Sequence, residues 1–303
     1  MWAALAVTVE NNAERKAMSI KILTDSACDM PAEELEKYDV ELMPLYVIEG
    51  EKTYLDGIEI TPEVLYSKMR RGVHYKTSQI PYADFVKRFT ELAEASVPFM
   101  YLSFSSGLSG TYQAAMLAKR DVLEKYPDAN IEVLDTKAVT GGLGLIVREV
   151  AEAAQNGASM EELVKLSCYY AAHIRHVFTV TDLEYLYRGG RLNKGTAIVG
   201  NMLKISPLLD VDENGELRQV DKARGEKKLL KKMVEYIEEK GDKLCEQTIY
   251  ITHADNMPLV ESFVKIASKH FKIDNFKIMP LAPIIGTHSG PGTLAVFFFD
   301  EVK

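Results

Sequence analysis

Cysteine is scarce in this chain, and no run is long enough to cross a membrane. Its three cysteines, Cys28, Cys168 and Cys245, are scattered over 303 residues and form no C-x-x-C pair. That spacing and odd number argue against a disulfide framework or a zinc site, and fit a reducing, cytoplasmic setting. No segment approaches the ~18 uninterrupted apolar residues of a membrane span, so at most transient membrane contact is expected. Cations are also in deficit: 36 Lys and Arg against 44 Asp and Glu leave a net charge of −8, which argues against nucleic acid as a partner. Three catalytic signatures are missing as well. Without G-x-x-x-x-G-K-[ST] there is no P-loop, and no G-x-G-x-x-G follows the first strand. The run Gly107-Leu108-Ser109-Gly110 has the wrong glycine register for a G-x-S-x-G nucleophile elbow.

What remains is the composition of a globular protein, with 47% hydrophobic and 26% charged residues. The length suits one large domain or two of ordinary size. The first 17 residues open on an apolar run, Trp2–Val9, with no basic segment ahead of it, so a secretory leader is not the preferred reading. Met18-Ser19-Ile20 runs straight into a first strand and has the look of a natural start. Residues 1–17 are therefore expected to be an N-terminal extension arising from an upstream start.

From Ile20 onward, short apolar runs alternate with helical periodicity, the pattern of a parallel sheet covered by helices. Strands are expected at 20–23, 99–104 and 131–134, with extended chain at 40–48. Thr61-Pro62-Glu63 opens a helix with an N-cap and a proline at its first position. A long helix from about Gly142 to Gln155 closes this half. The second half mixes hairpins with helices, as at Asp212-Glu213-Asn214-Gly215, which suggests α+β. The expected organisation is α/β overall. It comprises a parallel-sheet, Rossmann-like domain over residues 18–172 and an α+β domain over 173–303.

The richest segment is the turn after Phe99–Phe104. It holds Ser105, Ser106, Gly107, Leu108, Ser109, Gly110 and Thr111, and a helix follows with Ala114, Ala115, Leu117, Ala118 and Val122 on one face. Free N–H groups and the positive end of a helix dipole make such a turn an anion pocket. With no Lys or Arg in the turn, it suits a small, singly charged oxyanion better than a triphosphate.

Four other segments collect hydroxyls, glycines or cations where strands end: Thr24-Asp25-Ser26, Thr77-Ser78-Gln79, Arg188-Gly189-Gly190-Arg191, and the glycine-rich loop Gly286-Thr287-His288-Ser289-Gly290-Pro291-Gly292. Singly, such hydroxyls are most often caps or turn formers. Together on one α/β frame they fit a site at the carboxyl ends of strands. Alternatives stay open at this level. Ser109 and His288 could form a hydrolase pair oriented by Asp25 or Asp135. Arg188 and Arg191 could salt-bridge to Asp182 and Glu184. His173 and His176 have the spacing of metal ligands but lack a second pair. Lys227, Lys228, Lys231 and Lys232 read as a solvated helix face, or as a docking surface for an acidic partner.

In order and spacing these segments resemble the DegV family of bacterial fatty-acid-binding proteins. The motifs are Thr24-Asp25-Ser26-Ala27-Cys28-Asp29, Lys76-Thr77-Ser78-Gln79, Ser105 to Tyr112, Gly189-Gly190-Arg191-Leu192 and Gly286 to Gly292, spanning about Ile20 to Phe299. The resemblance implies two α/β domains with a long acyl chain buried between them and no further cofactor. It implies a carboxylate held at Thr77 and Ser109, with Arg191 and His288 nearby. The site expected on that basis is Thr77, Ser78, Ser109, Gly110, Arg191, Thr287 and His288, with no catalytic residue and no metal. Some relatives are the acyl-carrying subunit of a bacterial fatty-acid kinase, whose separate ATP-binding protein phosphorylates the bound carboxylate. An autonomous phosphotransferase and a regulatory sensor of acyl supply are the other readings. One departure is that Ile80 separates the T-S-Q motif from Pro81.

Overall fold

The computed structural model describes residues 20–192 and 205–302, so the extension at 1–17 lies outside the described residues. Four parallel strands form the first sheet, in the order β2 (Val40–Met43), β1 (Lys21–Asp25), β6 (Phe99–Ser103) and β7 (Ile131–Asp135). All five residues of β6 are buried, as befits a central strand covered on both faces. Thr24 pairs with Leu102 and Ser103 with Asp135, so β1, β6 and β7 end along one edge. The turns that follow them are therefore neighbours.

Two helices, α3 (Tyr82–Glu94) and α4 (Thr111–Lys125), pack together beside this sheet. Phe85 and Phe89 of α3 meet Phe99 and Tyr101 of β6, with ring centroids 4.8 to 6.3 Å apart. On α4, Ala114, Ala115, Ala118 and Val122 are buried as expected, but Leu117 is exposed. It falls outside the narrow arc through which α4 meets its neighbours.

The second sheet is mixed and six-stranded. Its order is β10 (Leu217–Arg224), β9 (Ile205–Val211), β8 (Ile174–Thr179), β13 (Leu294–Phe299), β11 (Ile249–His253) and β12 (Phe276–Pro280). The β9–β10 hairpin turns at Asp212–Gly215, as its sequence predicts. Helix α8 (Glu226–Lys240) buries Leu229, Leu230, Met233, Val234 and Ile237, leaving its lysines outward, where Lys232 pairs with Asp221.

Helix α5 (Gly141–Gln155) lies between the sheets, packing on β1 and on β8, β11 and β13. Its first turn is Gly141-Gly142 because a Cβ on Gly142 would overlap the His176 ring. Helix α6 (Met160–His173) starts at a reciprocal capping box between Ser159 and Glu162 and leads into β8.

A third, small antiparallel sheet corrects one expectation. The segment Lys76–Ser78, for which the sequence alone suggests a loop through Lys76-Thr77-Ser78-Gln79, is strand β5, paired with β3 (Tyr46–Glu49), which also pairs with β4 (Lys52–Leu55). Three residues carry too little periodicity to announce a strand, and only the partner β3 makes it one. A second correction concerns Gly286–Gly292. Residues Pro283–Ser289 form helix α10, packed against α2 (Pro62–Arg70), α7 (Glu184–Arg188), β3 and β5. Its glycine is a packing feature, since a Cβ on Gly286 would overlap the Tyr66 ring.

Candidate functional site

The turn after β6 and the helix α10 reach the same space. Between the sheets lies a pocket whose space, open mouth included, is about 750 Å³. Much of its wall is apolar, including Phe104, Val139, Phe178 and Phe297, and Thr77, Ser109, Arg191 and His288 also line it. A strand, a turn and two helix ends bring these groups in from opposite halves of the chain: Thr77 and His288 are 211 residues apart, yet Thr77 Oγ1 lies 2.7 Å from His288 Nε2.

Ser109 sits just before α4, whose N-cap is Gly110. Its hydroxyl lies 2.8 Å from Thr111 Oγ1 and accepts the Thr111 N–H at 3.3 Å. Arg191 donates to Leu108 O at 3.1 Å and Gly189 O at 2.6 Å, so its described partners are two main-chain carbonyls rather than Asp182 or Glu184. Neither interaction neutralises its charge, and burial lowers its pKa from the ordinary value. Burial, reinforced by the Arg191 charge, also holds the His288 imidazole down at about 3, so it is neutral at pH 7. The sequence suggests an exposed histidine here, but helix formation turns it inward, and its Nδ1 is buried with no described hydrogen-bond partner.

Gly189 accounts for that Nδ1. A Cβ at this position would overlap it, although Gly189 has an ordinary φ of −72°. Gly189→Ala is therefore expected to push the ring off Thr77 and weaken ligand binding about tenfold, the overpacking cost being ~1–3 kcal/mol. A titration of the variant by calorimetry checks this; wild-type affinity would show that the ring's place is immaterial.

Three expected site residues stand apart from the pocket wall. Ser78 is exposed and donates to Gln79 O, Gly110 packs against the Gln79 side chain, and the buried Thr287 hydroxyl donates back to Pro283 O within its helix. Alternation along β5 sends Ser78 to the opposite face from Thr77. Conversely, Thr140, Ser289 and Thr293 line the pocket without having been anticipated. Thr140 holds φ 51°, ψ −136° at the start of α5, a conformation that its sequence setting before two glycines could have flagged.

The other candidate constellations resolve differently. Ser109 bonds Thr111 rather than His288, Asp25 serves Tyr101 and the Phe104 N–H, and Asp135 pairs with Lys137. His173 meets Asp300, while His176, buried in β8, accepts the Val139 N–H. Among the described residues no group of three or more His, Cys, Asp or Glu could hold a metal ion. Arg188 lies over the Tyr185 ring, 5.0 Å from its centroid.

Comparison with known proteins agrees with this architecture. The family model described as "Uncharacterised protein, DegV family" matches residues 19–301. A DegV domain-containing protein of Clostridium perfringens is 37% identical over 284 residues, covering 93% of this chain and 98% of that one. Among solved structures, a DegV lipid-binding protein from Thermotoga maritima shares 34% identity, with a TM-score of 0.80 over 94% of this chain and 100% of its own. A DegV family protein from Thermus thermophilus, described as binding fatty acid, is 28% identical with a TM-score of 0.82, covering 92% and 99%. This chain belongs to the DegV family.

Proposed function

We propose that the protein binds a long-chain fatty acid, with its carboxylate at Thr77 and Ser109 and its tail in the pocket between the sheets. The observation that carries this reading is the pocket itself: an apolar channel to which a single described cation, Arg191, contributes. A fatty acid has one charge and a long apolar tail, and each buried methylene is worth ~0.8 kcal/mol. Its head therefore needs orientation and charge compensation rather than a strong clamp. The related structures described as lipid- or fatty-acid-binding support the same ligand class.

The histidine has a defined part in this reading. In the Nε2–H tautomer, neutral His288 donates to Thr77 Oγ1, which leaves the Thr77 proton free for the carboxylate. Ser109 supplies the second hydroxyl. Arg191 offsets the cost of bringing the anion out of water. Ser109 pairs with the Thr111 hydroxyl and not with His288, so the geometry favours a carrier over a Ser109–His288 hydrolase. We further propose that a separate ATP-dependent kinase phosphorylates the bound carboxylate, since the chain has no nucleotide loop of its own.

Purified protein, denatured and extracted for mass spectrometry, is expected to release C14–C18 fatty acids near one per chain. A lipid-free pocket that turns over esters would reverse the assignment in favour of a hydrolase.

A further inference from the structure

The motif Thr24-Asp25-Ser26-Ala27-Cys28-Asp29 contributes only Ala27 to the pocket wall. Its carboxylates turn instead to main-chain N–H groups of the two segments that carry the polar end. Asp25, wholly buried, accepts the Phe104 N–H at 2.8 Å and the Tyr101 hydroxyl at 2.9 Å, at the start of the turn leading to Ser109. Asp29 accepts the Ala282 N–H at 2.9 Å, and Asp56, also wholly buried, accepts the Ile284 N–H at 2.9 Å. Those two N–H groups open the helix that ends with His288 and Ser289. Next to them, the buried Tyr66 hydroxyl donates to Leu281 O at 2.8 Å. One acidic corner thus grips both the Ser109 turn and the His288 helix across more than 200 residues of sequence.

We infer that Asp29 and Asp56 are positioning residues: they hold the His288 helix at a fixed separation from the Ser109 turn, which Asp25 anchors, so that the pocket distinguishes a carboxylate from an uncharged head group. The inference rests on the fatty-acid reading above. A buried N–H needs an acceptor, and an aspartate is short enough to fix its position within a fraction of an ångström. The second oxygen of Asp29 is buried with no described partner, an arrangement that suits a neutral carboxyl better than an anion. Burial does push Asp29 well up and Asp56 up to about 7. An acceptor of the same shape, asparagine, should therefore do the same work.

The test compares palmitate with hexadecanol, which has the same tail and no carboxylate, by displacement of a fluorescent fatty acid at pH 7. Wild type is expected to prefer palmitate. Asp29→Ala and Asp56→Ala are expected to cut that preference tenfold or more while leaving hexadecanol affinity within about twofold. Asp29→Asn and Asp56→Asn should retain it. Should an alanine variant not fold, Asp56→Glu, which keeps the acceptor but displaces it by a methylene, is expected to show the same loss. Variants that discriminate as well as wild type, or that lose both ligands in parallel, overturn the positioning role. A wild type that binds both ligands equally overturns the carboxylate assignment beneath it, and the two failures are thereby distinct.

Discussion

Replacing Thr77 and Ser109 together by alanine is expected to lower fatty-acid affinity by about 10²- to 10⁴-fold while leaving the fold intact. Hydrogen bonds to a charged acceptor contribute ~1.5–3 kcal/mol each, and every ~1.4 kcal/mol is a factor of ten. Thr77→Ala has a further consequence, because it leaves His288 Nε2 without its partner at 2.7 Å in a half-buried setting. The His288 ring is then free to turn, so the double variant should lose more than Ser109→Ala alone. Displacement of a fluorescent fatty acid measures the affinity, and circular dichroism the fold. Wild-type affinity in the double variant would remove these two hydroxyls from the head-group assignment.

The second large effect concerns stability and pH. Burial raises Asp56 from 3.8 in the unfolded chain to about 7 in the fold, opposed by the Ser26 hydroxyl and the Ile284 N–H. A group raised on folding stabilises below its unfolded value and loses that contribution as pH climbs through the folded one. For Asp56 the window runs from about pH 4 to about pH 7, and a shift of this size corresponds to roughly 4 kcal/mol. Asp25, raised by burial to about 6, acts in the same direction. His288 and His176, both held down at about 3 by burial, act in the opposite sense: their contribution is lost as pH falls below about 6.5. The wild-type profile therefore sums opposing slopes, and the difference between wild type and Asp56→Asn isolates the carboxyl. Asparagine keeps the acceptor for Ile284 and never ionises. Asp56→Asn is expected to match wild type near pH 4 and to be more stable by a few kcal/mol at pH 8, measured by urea unfolding at both values. A difference that does not change with pH would show that Asp56 is not desolvated.

Much of the frame was legible from residues alone. Apolar runs mark β1 and β6, because those central strands are covered on both faces, and helical periodicity marks α5. Thr61-Pro62 marks the start of α2, and Asp212–Gly215 marks the hairpin, because capping and turn chemistry are local. The burial of His288 was not legible, nor was the strand at Thr77. A glycine-rich heptapeptide looks exposed until Tyr66, Tyr185 and Gly189 close around it, and those contacts lie far away in sequence.

By itself, then, the sequence determined the α/β frame, the lack of a P-loop signature and the set of hydroxyl, arginine and histidine segments. All of these depend on neighbours a few residues apart. Tertiary structure alone decided which of those segments share a pocket. Thr77, Ser109, Arg191 and His288 line one pocket, whereas Ser78, Gly110 and Thr287 lie outside its wall. Tertiary structure also gave Asp25 and Asp29 main-chain N–H partners far away in sequence, at Phe104 and Ala282. The reason is that a side chain's partner is set by strand register and helix packing over hundreds of residues, whereas its type is set at one.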